Sequence, residues 1–179
     1  PMFRLPITVQ EQDQRDNMNR EERLITGMWR EAEREYRFQG HGSLLHDIIF
    51  FGALGCICAF PRVAMVRQNR RNQPRFFVNL YDPINCYPEF GEGGLLRWVR
   101  VYYTTYADAR SLAVSQGWAA DKIVKGDSIK IINLWEREES TDDVKIHNTV
   151  LIGGAPLKPK THHPEFNHIP IEMIPLNGI

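Results

Sequence analysis

The sequence has few cysteines and no excess of either charge. Three cysteines occur among 179 residues, and two of them, Cys56 and Cys58, stand inside an apolar run. This small, odd number does not fit the disulfide framework of a small secreted protein and favours a reducing or non-secretory setting. The 22 lysines and arginines balance the 22 aspartates and glutamates. An overall basic surface of the kind that holds nucleic acid is therefore excluded, and any excess of one charge must be confined to part of the surface.

Recognisable catalytic and cofactor-binding motifs are also missing. The glycine-rich segments 91–94 and 153–154 match neither of two common phosphate-binding patterns, GxxxxGKS/T and GxGxxG, and are predicted turns. Cys86 and His147 are the candidate reactive groups of a small enzyme, but no histidine stands beside Cys86 to activate its thiol. We therefore predict a protein that is not an enzyme and that has no catalytic residue and no cofactor.

Metal-ligand patterns are weak as well. A single residue separates Cys56 from Cys58, which is closer than the ligand pairs of structural zinc sites. Prolines interrupt the histidine-rich C-terminal region, so no helix or hairpin is expected to fix the geometry of its ligands. We predict no metal site and expect these side chains to contact a partner. They are His162, His163, His168 and Glu165.

Charged residues of both signs dominate the N-terminal segment, residues 1–42. Within residues 10–38, apolar residues recur every three or four positions, which predicts an amphipathic helix that ends near Gly40. The apolar stripe would cover either the chain's own core or a helix of a partner protein. It consists of Met18, Leu24, Ile25, Met28, Trp29, Ala32 and Tyr36.

A long apolar run follows this helix. Residues 48–60 are 13 residues without a polar side chain, and residues 44–66 would measure about 35 Å as a helix, slightly more than the hydrocarbon core of a bilayer. Mean hydropathy over 19 residues reaches about +2, and the run is apolar on every side. We therefore predict a single transmembrane helix over residues 43–66. The alternatives are a buried helix of a soluble domain and an interfacial or re-entrant segment.

Small residues inside the predicted span form two pairs at helical spacing. Gly52 lies four positions before Cys56, and Gly55 lies four positions before Ala59. Such pairs allow the backbone of another helix to approach closely. We therefore predict helix packing at these four residues, and with it a partner in the membrane.

Arginines follow the predicted span, and no acidic residue occurs in residues 63–81. Under the positive-inside rule, this imbalance places the C-terminal part of the protein on the inner side of the membrane, which for a mitochondrial inner membrane would be the matrix. We predict that the arginines bind anionic lipid headgroups, and the alternative ligand is RNA, with Phe76 and Phe77 stacking on bases. The lipid-binding residues would be Arg62, Arg67, Arg70, Arg71 and Arg75.

The rest of the chain predicts a small extramembrane α+β region, residues 67–152, and an extended proline-rich tail, residues 153–179. With five prolines, the tail can hardly fold alone and would lie on another surface. The predicted fold is therefore mostly α, with a single transmembrane helix, an amphipathic N-terminal helix and this tail. Within the α+β region we predict helices over residues 95–116 and 119–125 and an antiparallel pair of strands over 127–135 and 144–152.

With this layout, and with an arginine-rich flank after FFGALGCICAFPRVAMV, the chain resembles supernumerary single-span subunits of mitochondrial inner-membrane assemblies such as ATP synthase and the respiratory-chain complexes. The resemblance implies a non-catalytic accessory subunit of the mitochondrial inner membrane that stabilises the membrane sector through helix packing, lipid contact and its tail. Its partners would be the other subunits and an anionic, cardiolipin-like phospholipid, and no nucleic acid is expected. The alternatives are a soluble interaction module, such as a mitochondrial ribosomal protein, and a small enzyme.

Overall fold

The computed structural model describes residues 12–68, 71–140 and 143–175. They divide into two compact units. The first unit contains the described residues up to Leu80 and those from Glu172 onward, and the second runs from Tyr81 to Ile171. In sequence, the second unit is therefore an insertion between two parts of the first.

Two helices form one layer of the first unit. They are α1, Gln12–Phe38, and α2, Leu44–Ala53. Ala32 and Tyr36, which lie one turn apart on α1, are buried and form a small core with Leu44 of α2. The helix predicted over residues 10–38 is confirmed from Gln12 onward, and residues 10 and 11 lie outside the described residues.

A three-stranded sheet forms the other layer of this unit. The end of the chain supplies one edge strand, β8, which pairs antiparallel with β1 so that Cys56 lies opposite Pro175 and Ala59 opposite Glu172. Residues that alternate along β2 pack against the helix core because successive side chains of a strand point to opposite faces. The strands lie in the order β2-β1-β8, with β1 at Cys56–Gln68, β2 at Arg71–Tyr81 and β8 at Glu172–Pro175.

The second unit is built on a five-stranded antiparallel sheet. Each strand lies beside its neighbours in sequence, in the order β3-β4-β5-β6-β7. A short 3-10 turn, Pro83–Asn85, precedes the first strand. The strands are β3, Cys86–Gly91, β4, Gly94–Thr104, β5, Ile129–Ser140, β6, Asp143–Ile152, and β7, Ala155–His162.

The core of the second unit lies between this sheet and helix α3, Tyr106–Ser115, which is followed by a 3-10 turn, Ala120–Lys122. Ala109 and Ala113 are fully buried, and their small side chains allow α3 to lie close to the sheet. The other buried members of this core are Ile123, Ile129, Ile131, Val150 and Leu157.

The apolar run does not form a transmembrane helix, so the prediction for residues 43–66 is wrong. Helix α2 ends at Ala53, and Gly55 adopts a left-handed conformation, with φ of 102°, that often follows a helix end. The run then continues as β1, where Pro61 is tolerated because the pairing with β8 reaches only to Ala59. A short apolar run suits a buried strand as well as a helix, and this run is divided between the two.

Within the described part of the chain, none of the helices combines the length and the apolar character that crossing a membrane requires. Helix α1 has 27 residues but many charges, and α2 has only ten residues, about half of what a span needs. The predicted location, a single-pass protein of the mitochondrial inner membrane, is therefore wrong.

The fold is mostly β rather than mostly α. The helix predicted over residues 95–116 is a strand, β4, in its first half and helix α3 in its second. Leu95, Trp98 and Tyr102 follow the spacing of a helix, but aromatic and β-branched residues also favour strands. The helix predicted over residues 119–125 is reduced to the turn at Ala120–Lys122.

Other predictions for the second unit are confirmed. The predicted strand pair corresponds to β5 and β6, which run antiparallel with Ile131 opposite Ile152. Both glycine-rich segments are turns, in which Gly94, Gly153 and Gly154 have positive φ.

The C-terminal tail is not a separate extended segment, because it contributes strand β7 to the five-stranded sheet and strand β8 to the three-stranded sheet.

Candidate functional site

Helix α2 is apolar on two sides. Leu44 and Gly52 are buried, and Ile48 packs on the core of the first unit. The opposite side presents two pairs of large apolar groups at helical spacing, with the exposed His46 between the pairs, and we call the apolar groups the α2 apolar face. It consists of Leu45, Ile49, Phe50 and the C-cap residue Leu54, with 42%, 63%, 54% and 49% of their surfaces exposed.

Side chains of α1 hold α2 in position. The Glu33 carboxylate accepts the N–H of Leu44 at 2.9 Å, and the Tyr36 hydroxyl donates to the Asp47 carboxylate at 2.7 Å. Ser43 occupies the N-cap position, but its side chain makes no capping hydrogen bond. The first turn of α2 is therefore capped by a residue of another helix.

Both carboxylates of this corner are stabilised in their charged form. Burial alone would raise the pKa of Glu33, but hydrogen bonds from Arg37, Ser43 and the Leu44 N–H lower it overall. Hydrogen bonds from His46 and from the Tyr36 hydroxyl lower the pKa of Asp47. The orientation of the α2 apolar face thus depends on charged groups that stay ionised near neutral pH.

Two of the predicted lipid-binding arginines make contacts inside the first unit. The Arg62 guanidinium lies over the Phe77 ring, 4.8 Å from its centroid. Arg75 is half-buried and pairs with Glu35 and Glu31 of α1. Arg75 therefore ties β2 to α1, and its charge is already matched.

Two of the other three predicted lipid-binding arginines stand in strands β1 and β2. The structure describes the backbone of Arg67 near the end of β1 and that of Arg71 at the start of β2. Arg70 lies outside the described residues. Arg67 and Arg71 therefore belong to two adjacent strands and do not flank a transmembrane helix.

The four residues predicted to pack against another helix do not share a face. Gly52 belongs to α2, Gly55 lies in the connection after it, and Cys56 and Ala59 belong to β1. Spacing by four brings residues together only on a helix. The predicted helix-packing strip does not exist.

A chain of polar side chains lies on the sheet of the second unit. Asn148 is buried, and its amide nitrogen donates to Oδ1 of Asn133 at 2.7 Å. Lys158 donates to Oδ1 of Asn148 at 2.7 Å and lies 3.2 Å from Nε2 of His163. The chain ends at Glu165, whose carboxylate lies 2.8 Å from Nδ1 of His163.

The surroundings of Lys158 and Glu165 in this chain of side chains lower the pKa values of both groups. Burial lowers the pKa of Lys158, and the hydrogen bond with His163 lowers the pKa of Glu165. The ring of His163 packs on Trp135, 5.1 Å away, and its backbone N–H donates to the carbonyl of Ile146 at 2.8 Å. The groups satisfy one another, so the arrangement fastens the segment after β7 to the sheet.

Sequence reasoning missed Lys158 and Asn148. Asn148 carried a usable signal, because it stands between Ile146 and Val150 at the two-residue spacing of a buried strand face. A polar residue at such a position needs hydrogen-bond partners. Lys158 carried no such signal, because its contacts depend on how β7 pairs with β6.

The candidate reactive residues do not form a catalytic group. Cys86 is buried in β3, and its thiol donates to the carbonyl of Asp82 at 3.4 Å. His147 lies in β6, which two other strands of the sheet separate from β3, and its Nδ1 is 3.7 Å from the Glu138 carboxylate. Within residues 12–68, 71–140 and 143–175, no three histidine, cysteine or acidic side chains lie close enough together to hold a metal ion.

The sequence matches no protein-family model, and comparison with curated proteins gives no significant match. The function proposed for the chain therefore rests on the surfaces described above, of which the α2 apolar face is the most distinctive.

Proposed function

We propose that the chain is a non-catalytic accessory subunit that joins a larger protein assembly through the α2 apolar face. The proposal rests on one observation, the exposure of four large apolar side chains on a helix whose other side is already buried. Large apolar side chains that are exposed together on one helix are typical of binding surfaces.

The spacing of the residues supports a protein partner. Leu45 and Ile49 are one helical turn apart, as are Phe50 and Leu54, and anchors one turn apart are the pattern by which helices insert into apolar grooves. The partner surface should therefore be an apolar groove, with few charges at its centre.

The burial and the hydrogen bonds of the candidate reactive groups support the non-catalytic part of the proposal. The Cys86 thiol is buried and bonded to a backbone carbonyl, and the Lys158, His163 and Glu165 side chains bond to one another. Membership of ATP synthase or of a respiratory-chain complex was inferred from a transmembrane helix and is not part of this proposal.

Substitution of the α2 apolar face tests the proposal. The double variant Ile49→Glu/Phe50→Glu should abolish assembly, because charges in an apolar interface are desolvated without a partner. The matched control is Val114→Glu/Val124→Glu, which places the same charges at two exposed apolar positions of the second unit. Native electrophoresis of extracts from the source cells would show whether each tagged full-length chain migrates in a large particle or as a free subunit.

A photo-crosslinking amino acid identifies the surface directly. Placed at position 49, it should join the chain to one protein of the particle, whereas at position 114 it should give no such product. Migration of the wild-type chain as a free subunit, or equal loss of the particle in the two double variants, would contradict the proposal.

A further inference from the structure

The side chain of Arg100, in strand β4, lies against two aromatic rings. Its guanidinium carbon is 4.3 Å from the centroid of the Tyr81 ring and 4.3 Å from that of the Tyr102 ring. A guanidinium stacks on a ring with its flat face, so the N–H groups in its edge remain available for hydrogen bonds. Asn133 of β5 stands directly opposite Arg100. We call these four residues the Arg100 site.

The N–H groups of Arg100 have no acceptor among the residues that the structure describes. The Nε atom is buried without a hydrogen-bond partner, and none of the ion pairs in this part of the chain includes Arg100. Arg97, two residues earlier in β4, pairs instead with Glu89 and Glu136. A buried donor of a charged group that lacks an acceptor is destabilising unless another molecule supplies one.

The residues beside Arg100 on its face of the sheet carry no negative charge. Cys86 and Asn133 stand opposite Arg100 in the two neighbouring strands, and residues opposite each other in a sheet share a face. The Cys86 thiol donates a hydrogen bond and is therefore protonated. Burial raises the pKa of Tyr102, so its hydroxyl is neutral near pH 7 as well. These neighbours do not neutralise the positive charge of Arg100.

Asn133 adds further donors to the site. Its Oδ1 accepts the amide N–H of Asn148 at 2.7 Å, whereas its own amide nitrogen donates to none of the described residues. The Asn148 amide also donates to the carbonyl of Leu134 and accepts from Lys158. The side-chain oxygens of both asparagines are thus occupied, and donors remain at Asn133 and Arg100. An ionised carboxylate fits such a surface because it only accepts hydrogen bonds.

The amount of charge at the site favours a carboxylate over a phosphate. One guanidinium carries one positive charge and forms two parallel hydrogen bonds with the two oxygens of a carboxylate. A phosphate group carries up to two negative charges near neutral pH and would need a second cation. Lys158 bonds to the same row of side chains, but β5 and β6 separate its strand from β4, a distance of about 14 Å at about 4.8 Å per strand.

We propose that the Arg100 site binds the carboxylate group of a ligand, with the Arg100 guanidinium and the Asn133 amide as donors. The two tyrosine rings hold the guanidinium in position. The carboxylate belongs either to a small organic acid or to an acidic side chain of a bound protein. All four residues belong to the second unit, so the inference does not depend on the function proposed for the α2 apolar face.

Nuclear magnetic resonance of the full-length chain, labelled with nitrogen-15 at arginine, tests the proposal because each Nε–H group gives its own signal. The Arg100 signal is assigned by its loss in Arg100→Lys. Replacement of chloride by acetate at constant ionic strength and neutral pH should shift this signal in a saturable way. The control is the signal of Arg110, an exposed arginine of α3 in the same unit, which should not saturate.

Two variants test the roles of the donors, with binding followed by the backbone N–H signal of Tyr102. Arg100→Lys keeps the charge but loses the paired N–H groups, and acetate binding should weaken roughly tenfold or more. Asn133→Asp places a carboxylate opposite Arg100 within the chain, so it should shift the Arg100 signal without acetate and abolish acetate binding. Its control, Asn167→Asp, adds the same charge at an exposed position and should change neither.

A second probe separates the two sources of the carboxylate. Acetate represents a small organic acid, and a peptide with one glutamate and blocked ends represents a protein side chain. Saturable binding of either supports the proposal, and the tighter probe identifies the source. Binding of neither, an equal response of Arg110, unchanged binding in Arg100→Lys or Asn133→Asp, or tighter binding of inorganic phosphate would each overturn it. Circular dichroism of the variants would show that the fold is retained.

Discussion

Helices α2 and α3 have the same length, ten residues each, but use their surfaces differently. The buried side of α3 consists of two alanines, Ala109 and Ala113, and polar groups occupy much of its exposed side. The buried side of α2 includes Leu44 and Gly52, and its exposed side is apolar as well. Part of the apolar surface of α2 is therefore not covered by its own unit.

The two helices also differ in how they begin. The Thr105 side chain accepts the N–H of Asp108 at 3.1 Å, so α3 is capped by a residue next to it in sequence. The first N–H of α2 is bound by Glu33, 11 residues earlier. Local sequence therefore specifies the start of α3, whereas α2 depends on the fold around it.

The largest expected effect separates the two sides of α2. The substitution Leu44→Ala should lower the free energy of unfolding by about 2–5 kcal/mol, because it leaves a cavity at a fully buried position. The control Leu45→Ala removes the same atoms from a residue that is 42% exposed and should change stability by no more than about 0.5 kcal/mol. Urea denaturation measures both, and equal losses would mean that the two sides of α2 are not different.

A smaller effect is expected when the buried side of α3 is enlarged. The substitution Ala109→Leu should destabilise the protein by about 1–3 kcal/mol, because the close contact with the sheet has no room for a larger side chain. Ala107→Leu introduces the same side chain at an exposed position of the same helix. Thermal unfolding should show a lower midpoint for the first variant alone, and an unchanged midpoint for Ala109→Leu would contradict this packing.

The smallest effect concerns the cap of α2. The substitution Glu33→Gln should cost about 0.5–2 kcal/mol near neutral pH, as for other lost caps. Because folding lowers the pKa of Glu33 below its ordinary value of 4.5, the carboxylate stabilises the protein above that pH, and the stabilisation is lost as the pH falls through the lowered pKa.

Urea denaturation at about pH 7 and about pH 3 would therefore show the difference between wild type and Glu33→Gln shrinking at the lower pH. Glu21→Gln, at an exposed position of α1, provides the control and should leave stability unchanged. A difference that is the same at both pH values would show that the charge of Glu33 is not what supports α2.

The parts of the fold that could be predicted from sequence have a single period over their whole length. The stripe of α1 follows the helical period through Ala32 and Tyr36, and the strands β5 and β6 are rich in β-branched residues on both sides of a polar turn. The apolar run after α1 contains no polar residue that would distinguish an exposed face from a buried one. Neither the 3.6-residue period of a helix nor the two-residue period of a strand could therefore be recognised in it. Only the conformation of Gly55 divides it.

The candidate site could be predicted only in part. The apolar run predicted contact with an apolar environment outside the chain. Two of its residues, Ile49 and Phe50, are among those that the fold leaves exposed. The contacts of Glu33 and Asp47 that hold α2 in position could not be predicted, because they join residues 11 positions apart on two helices. The polar chain through Lys158 depends in the same way on strand pairing.

The pairing of β8 with β1 has a consequence for the order in which the chain folds. Cys56 and Pro175 meet in this pair, so the first unit lacks an edge strand until residues 172–175 have left the ribosome. The second unit is one continuous segment, and domains generally fold as they emerge during synthesis. We therefore expect the second unit to fold first. Once folded, it shortens the flexible loop between β1 and β8, which lowers the entropic cost of pairing these two strands and so of completing the first unit.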